Sequence, residues 1–127
     1  MIYYVDSFSG SDEADGLSRQ TAFRSISRVN ALTLCGGDKV RFRAGCTYTG
    51  TLRPHREDTQ GIVTITRYGV GGRPVIVGDD EAAIDLVDIC GIDLCGLAVT
   101  NPNGLYGIRV LNESGGEMSH IHITGCH

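Results

Sequence analysis

An apolar–polar–apolar triplet occurs three times along the chain: Val63-Thr64-Ile65, Ile92-Asp93-Leu94 and Ile121-His122-Ile123. Positions 63, 92 and 121 are separated by 29 residues in both intervals. Such alternation sets one face of a strand against a core and the other in water. Gly96-Leu97 and Gly125-Cys126 follow the second and third triplets at matching places. A second pair, Ala83-Ile84-Asp85-Leu86 and Gly107-Ile108-Arg109-Val110, repeats after 24 residues. Strands that recur every ~20–30 residues predict a solenoid, whose turns bury their inner faces only by stacking on one another. The links are rich in Gly and Asn and carry no convincing helix. That favours coils of strands over βαβ units, which need a helical crossover. A β-sandwich also has short strands at regular spacing; the fixed interval decides for the solenoid. In register, Val63, Ile92 and Ile121 fall in one column, with strands of successive coils about 4.8 Å apart in parallel sheets.

The remaining pattern fits around this repeat. Residues 2–5 read as a short strand, followed by a loop of small and acidic residues from Asp6 to Gly16. Phe23, Ile26, Val29 or Asn30, and Leu32 or Thr33 have helical spacing, which predicts one amphipathic helix over Ala22–Leu32 with Thr21 as its N-cap. Gly36-Gly37 ends it. A solenoid end is an open apolar cross-section with unpaired strand edges, so this helix is expected to cap it. Lys39-Val40-Arg41-Phe42-Arg43 alternates with Val40 and Phe42 inward. Tyr48–Leu52 is the next strand candidate, and residues 54–61 read as a polar surface loop. Gly69, Gly71 and Gly72 form a corner before Val75-Ile76-Val77. Asp88, Gly91 and Gly96 mark bends between later strands. Asn101, Asn103 and Asn112 are placed to stack as amide ladders at bends, and Tyr106 reads as half-buried packing.

Composition narrows the classes. One domain suits 127 residues, divided into an opening segment and capping helix over 1–36 and coils over 37–127. The net charge of −4 lacks the basic footprint of a nucleic-acid partner. No apolar run approaches the roughly 20 residues of a membrane span. Met1 leads straight into residues that read as a strand, so the expectation is either an intracellular protein or one whose export signal has been removed. Five cysteines leave at least one unpaired, and there is no C-x-x-C. Cys90 and Cys95 flank an extended run, as do Cys35 and Cys46, so neither pair is expected to bridge. Mostly buried free thiols are expected.

These motifs resemble the N-terminal portion of the right-handed parallel β-helix proteins, the pectin-lyase-like superfamily, and its extracellular polysaccharide lyases above all. The resemblance lies in Tyr3-Tyr4-Val5-Asp6, Gly10-Ser11-Asp12, Asp15-Gly16-Leu17-Ser18 and Thr21-Ala22-Phe23-Arg24. It continues through Gly37-Asp38-Lys39-Val40, Ile65-Thr66-Arg67-Tyr68-Gly69 and Gly72-Arg73-Pro74-Val75-Ile76. It implies an all-β, right-handed parallel β-helix of about four or five coils with a short N-terminal capping α-helix. It also implies a secreted parent acting on acidic polysaccharide, as a lyase or glycoside hydrolase. Family members usually have more coils, with their catalytic groove on middle ones. This chain is therefore expected to lack the C-terminal coils and cap, and to be non-catalytic.

Chemistry on the repeat is weighed against that expectation. A polysaccharide lyase needs a carboxylate cluster or cation to neutralise a uronate, and a base to take the neighbouring proton. The candidates are Asp85, Asp93, Arg109 and His122 on two outward ladders, Thr64-Asp93-His122 and Asp85-Arg109. The simpler reading is cross-strand pairing, each pair contributing roughly 0.2–1 kcal/mol. Asp6, Asp12 and Asp15 in the acidic loop are candidate calcium ligands, against an ordered turn tied by Asp and Ser side chains. Two rivals remain: a structural or carbohydrate-binding module that self-associates through an uncapped C-terminal coil, and a small complete lyase.

Overall fold

The computed structural model describes residues 1–56, 61–79, 82–87, 91–101, 106–111 and 121–124. Strands and one helical turn follow in the order β1 (Ile2–Val5), α1 (Ile26–Asn30), β2 (Thr33–Leu34), β3 (Lys39–Arg43) and β4 (Thr47–Thr49). Next come β5 (His55–Arg56), β6 (Val63–Tyr68), β7 (Val75–Val77) and β8 (Ala82–Val87). The last are β9 (Ile92–Cys95), β10 (Ala98–Thr100), β11 (Tyr106–Leu111) and β12 (Ile121–Thr124). The architecture is all-β, and the pairings among these strands are parallel.

The chain visits three sheets in rotation. From β6 onward it passes through a five-stranded sheet (β1-β3-β6-β9-β12), a three-stranded sheet (β4-β7-β10) and a two-stranded sheet (β8-β11), then returns to the first. The predicted register is present. Val63 faces Ile92 and Ile121 faces Ile92, so the three triplets lie side by side. Ile108 pairs with Ile84, as the shorter repeat requires. Along β9 the alternation is clean, with Ile92 and Leu94 buried and Asp93 and Cys95 turned outward. Val40, Phe42, Val63, Ile65, Ile76, Ile84, Leu86, Ile92 and Leu94 are fully buried and form one cluster. Each large aliphatic side chain so placed contributes about 1.5–3 kcal/mol. Gly91 and Gly96 bend the chain at positive φ, 69° and 73°, where a side chain would strain the backbone.

The opening segment departs from expectation. The helix is only Ile26–Asn30, with Ser25 and not Thr21 as N-cap. The apolar spacing of Phe23, Ile26 and Val29 is real, and all three are buried. Phe23, however, is held extended, because its backbone bridges Val5. Its N–H donates to the Tyr4 carbonyl (2.9 Å) and its own carbonyl accepts from Asp6 N–H (2.7 Å). Tyr4 N–H donates to the Gly16 carbonyl (2.7 Å). The free edge of β1 is thus closed by the opening loop, while Ile26 and Val29 pack onto the core. Gly16 has φ +73° and lies against the Phe23 ring, so no larger residue fits there.

Two further differences are local. Residues 54–61 are not wholly loop: β5 pairs with β2, a strand in the stretch after the helix. Tyr48–Leu52 is a strand only at Thr47–Thr49, with Leu52 bridging Ile84. The described cysteines are free, as expected, but not buried. Cys35 and Cys46 are half-exposed and Cys95 is exposed, because strand alternation turns it outward. Cys90, Cys126, Asn103 and Asn112 lie outside the described residues, as does the Tyr106 side chain. Asn101 follows β10. Asn30 ties the helix to the chain around Leu52. Its side chain donates to the Thr51 carbonyl (2.9 Å) and accepts from Arg53 N–H (2.7 Å).

Ile92 sits between Val63 and Ile121 in the column, so Ile92→Ala is expected to cost about 2–5 kcal/mol. Outward-facing Thr64→Ala is expected to stay within about 0.5 kcal/mol. Equilibrium denaturant unfolding of the two variants checks both; equal costs would refute the assigned inward face.

Candidate functional site

The four catalytic candidates divide between two sheets. Asp85 on β8 and Arg109 on β11 are paired in register. Asp93 on β9 is in register with His122 on β12. The two ladders belong to different sheets, so the fold does not gather them into one cluster. The His122 side chain lies outside the described residues.

Asp85 is almost fully buried, unlike an outward carboxylate in water. Arg109 grips it with two bonds, Nε to Oδ1 at 2.9 Å and Nη2 to Oδ2 at 2.7 Å. Arg53 lies on its other side, Nε to Oδ2 at 3.6 Å. Leu52 bridges Ile84, which is what brings Arg53 alongside Asp85. The result is an Arg53–Asp85–Arg109 ladder across three passes of the chain. Both oxygens of Asp85 are engaged, which suits a structural ion pair better than a base.

The acidic loop is an ordered turn. Asp6 accepts from Phe8 N–H (2.9 Å), Ser9 N–H (3.1 Å), the Ser9 hydroxyl (2.7 Å) and Arg43 Nη1 (3.0 Å). Asp12 accepts from Arg24 N–H, Ser25 N–H (both 2.9 Å) and the Ser25 hydroxyl (2.7 Å), tying the loop to the helix start. Asp15 accepts from Leu17 N–H (2.9 Å) and the Thr21 hydroxyl (2.7 Å). The three carboxylates each serve a separate donor set. Among the described residues, no three His, Cys, Asp or Glu side chains are grouped to hold a metal ion.

Burial alone would push the Asp6 carboxyl upward. The hydrogen bonds from Ser9 and Phe8, with the Arg43 charge, outweigh it and hold the group below the ordinary aspartate range. Asp12 shows the same balance, with Ser25 and Arg24 as donors. For Asp15 the Leu17 N–H and the Thr21 hydroxyl lower the value.

A different surface emerges from the outward side of the five-stranded sheet. Alternation on β3 turns Lys39, Arg41 and Arg43 away from Val40 and Phe42. The register sets Tyr4 beside Arg41, and Tyr68 beside Arg43. The Tyr4 and Tyr68 rings meet edge to face, centroids 5.2 Å apart. The Arg19 guanidinium, from the opening loop, sits 5.0 Å over Tyr68, and that of Arg41 6.0 Å over Tyr4. Arg43 lies 5.9 Å from the Phe8 ring centroid. Burial pushes the Tyr68 phenol up, so it keeps its proton. An open cleft of about 520 Å³ is lined by Asp6, Arg19, Arg43, Tyr68 and Val70. A neighbouring one of about 370 Å³ shares Arg43 and includes Phe8 and Cys46. Phe8 and Val70 project into solvent. The Lys-x-Arg-x-Arg alternation was the available sequence signal for this face. The tyrosines and Arg19 join it only through register and loop closure.

No protein-family model matches the chain, and no curated protein does. The fold does have solved counterparts. A crystal structure of GH136 lacto-N-biosidase from Eubacterium ramulus, a selenomethionine derivative, superposes with TM-score 0.79 at 20% identity. The match covers 98% of this chain and 26% of that one. The native crystal form of that enzyme gives TM-score 0.68 at 20% identity, covering 91% of this chain and 21% of that one. The likeness is one of fold. This chain spans about a quarter of the length of the hydrolase it resembles.

Removing Arg109 would leave Asp85 buried with, among the described residues, the longer Arg53 contact. Arg109→Ala is expected to cost about 3 kcal/mol, and an Asp85→Leu/Arg109→Leu variant to recover most of it, both read by denaturant unfolding. The pH dependence follows from the lowered carboxylates. A depressed folded-state value stabilises fully above the unfolded value of about 3.9 and is lost as pH falls through the folded one. The melting midpoint should stay level from about pH 7 to pH 5 and drop below about pH 4. The acid limb of an Asp6→Asn/Asp12→Asn variant should be shallower. Identical acid limbs would show that these two groups do not govern it.

Proposed function

We propose that this chain is the N-terminal portion of a right-handed parallel β-helix protein of the pectin-lyase-like kind. In this reading the parent is secreted and acts on polysaccharide, acidic polysaccharide above all, and this segment is not itself catalytic. The observation that carries the reading is the superposition: nearly all of this chain matches about a quarter of a glycoside hydrolase chain. The rotation through three parallel sheets supports the β-helix. The engaged state of Asp85, and the separation of the two ladders onto different sheets, support a non-catalytic role. What the segment supplies is a rigid start to the stack. Its opening loop closes the β1 edge against pairing with other chains.

The test is a panel of immobilised neutral and acidic polysaccharides, with product release followed in the same wells. Retention on at least one polysaccharide, without reducing-end or unsaturated product, is the expected result. Turnover that disappears in Arg109→Ala would overturn the non-catalytic assignment. Failure to be retained by any polysaccharide would overturn the glycan assignment.

A further inference from the structure

The geometry points to a docking strip for a carboxylated saccharide chain on the outer face of the five-stranded sheet, centred on Arg19, Arg41 and Arg43. This inference rests on the glycan reading and deepens it by naming where an anionic sugar is held. The chain as a whole carries −4. On this face, nevertheless, lie four cations: Lys39, Arg41 and Arg43 in a row along β3, and Arg19 from the opening loop over Tyr68, the neighbour of Arg43. Asp6 also lines the cleft, but it is buried and already bonded to Arg43, so it neutralises one charge and leaves the others. Among the described residues no carboxylate is paired with Arg19 or Arg41; each instead lies over a tyrosine ring.

Alternate residues of a strand point the same way, so Lys39, Arg41 and Arg43 form a row with a repeat of roughly 6.6 Å. A row of fixed charges suits a polymer with regularly repeating charge. Guanidinium groups also bind carboxylates with two parallel bonds, and packing against an aromatic ring pre-orients them at low entropic cost. Finally, the open cleft of about 520 Å³ is bounded by the Tyr68 ring and by exposed Val70, which offer a polar tip and an apolar edge to a sugar ring. Nucleic acid fits less well. Base stacking needs an uncovered aromatic face, and Arg19 and Arg41 lie over the Tyr68 and Tyr4 rings.

The experiment is titration calorimetry of the full chain with polygalacturonate, an unsubstituted galactan and a single-stranded oligonucleotide. Polygalacturonate binding that weakens with added salt, about tenfold loss in Arg19→Gln/Arg41→Gln, and little galactan binding are expected. Arg19→Glu is the second variant. It sits on an exposed loop outside the sheet, so it tests the same strip should the double variant lose its cooperative melt. Galactan binding equal to that of polygalacturonate and unchanged in both variants would overturn the strip while the glycan reading stood. Tighter binding of the oligonucleotide would overturn it in favour of a phosphodiester partner. Absence of binding to either polysaccharide would overturn the strip, and the immobilised panel would then decide the glycan reading separately.

Discussion

Parallel in-register pairing between successive passes of the chain is the constraint on which everything else depends. A strand of three to six residues cannot bury an apolar face alone, nor satisfy its own backbone groups. Each strand here does both by lying beside its counterpart in the next pass. A slip of one residue would turn Ile65, Ile92 and Leu94 to water and bring Thr64 and Asp93 inward. That penalty holds the register. The same register then lines up the outward side chains in rows, so the surface chemistry is a by-product of the core.

The two outward faces show different uses of this rule. On the β8–β11 sheet, register places Arg53, Asp85 and Arg109 in a row of alternating sign, and the carboxylate is fully engaged. That row is a clasp between passes. On the five-stranded sheet the row is of one sign, Lys39, Arg41 and Arg43, and its counterparts on neighbouring strands are tyrosine and threonine. Like charges in a row cost stability unless something offsets them. Here the aromatic rings, and Asp6 at one end, supply part of the offset. A face that retains uncompensated cations in a chain of net −4 is better suited to recognition than to stability.

The opening loop solves the problem that every stack of strands has at its first edge. Backbone bonds with Gly16 and Phe23 engage Tyr4 and Asp6 along the outer edge of β1, and Asp6, Asp12 and Asp15 stitch the loop by side-chain bonds. The acidic residues that suggest a cation site each accept hydrogen bonds from local donors. Their lowered carboxyl values have the same origin: several N–H and O–H groups aimed at each charged form.

Alternation and recurrence in the sequence were enough to determine the repeating strands, the inward residues of β3, β6 and β9, the column of Val63, Ile92 and Ile121, and the Asp85–Arg109 pair, because period-two patterning directly encodes which side is buried; the two-residue strands β2 and β5 are too short to carry such a pattern. Equal spacing exposed only part of the register. Val40 pairs with Ile65, 25 positions on, and Thr47 with Val75, 28 positions on; loops absorb such differences at little entropic cost, so no single period reveals them. The fate of Phe23 was decided by tertiary structure, since its helical spacing was overridden by an unpaired strand edge needing a partner. So was the meeting of Tyr4, Arg41, Tyr68 and Arg19, which are far apart in the chain and come together only because successive passes stack and the loop folds back over them.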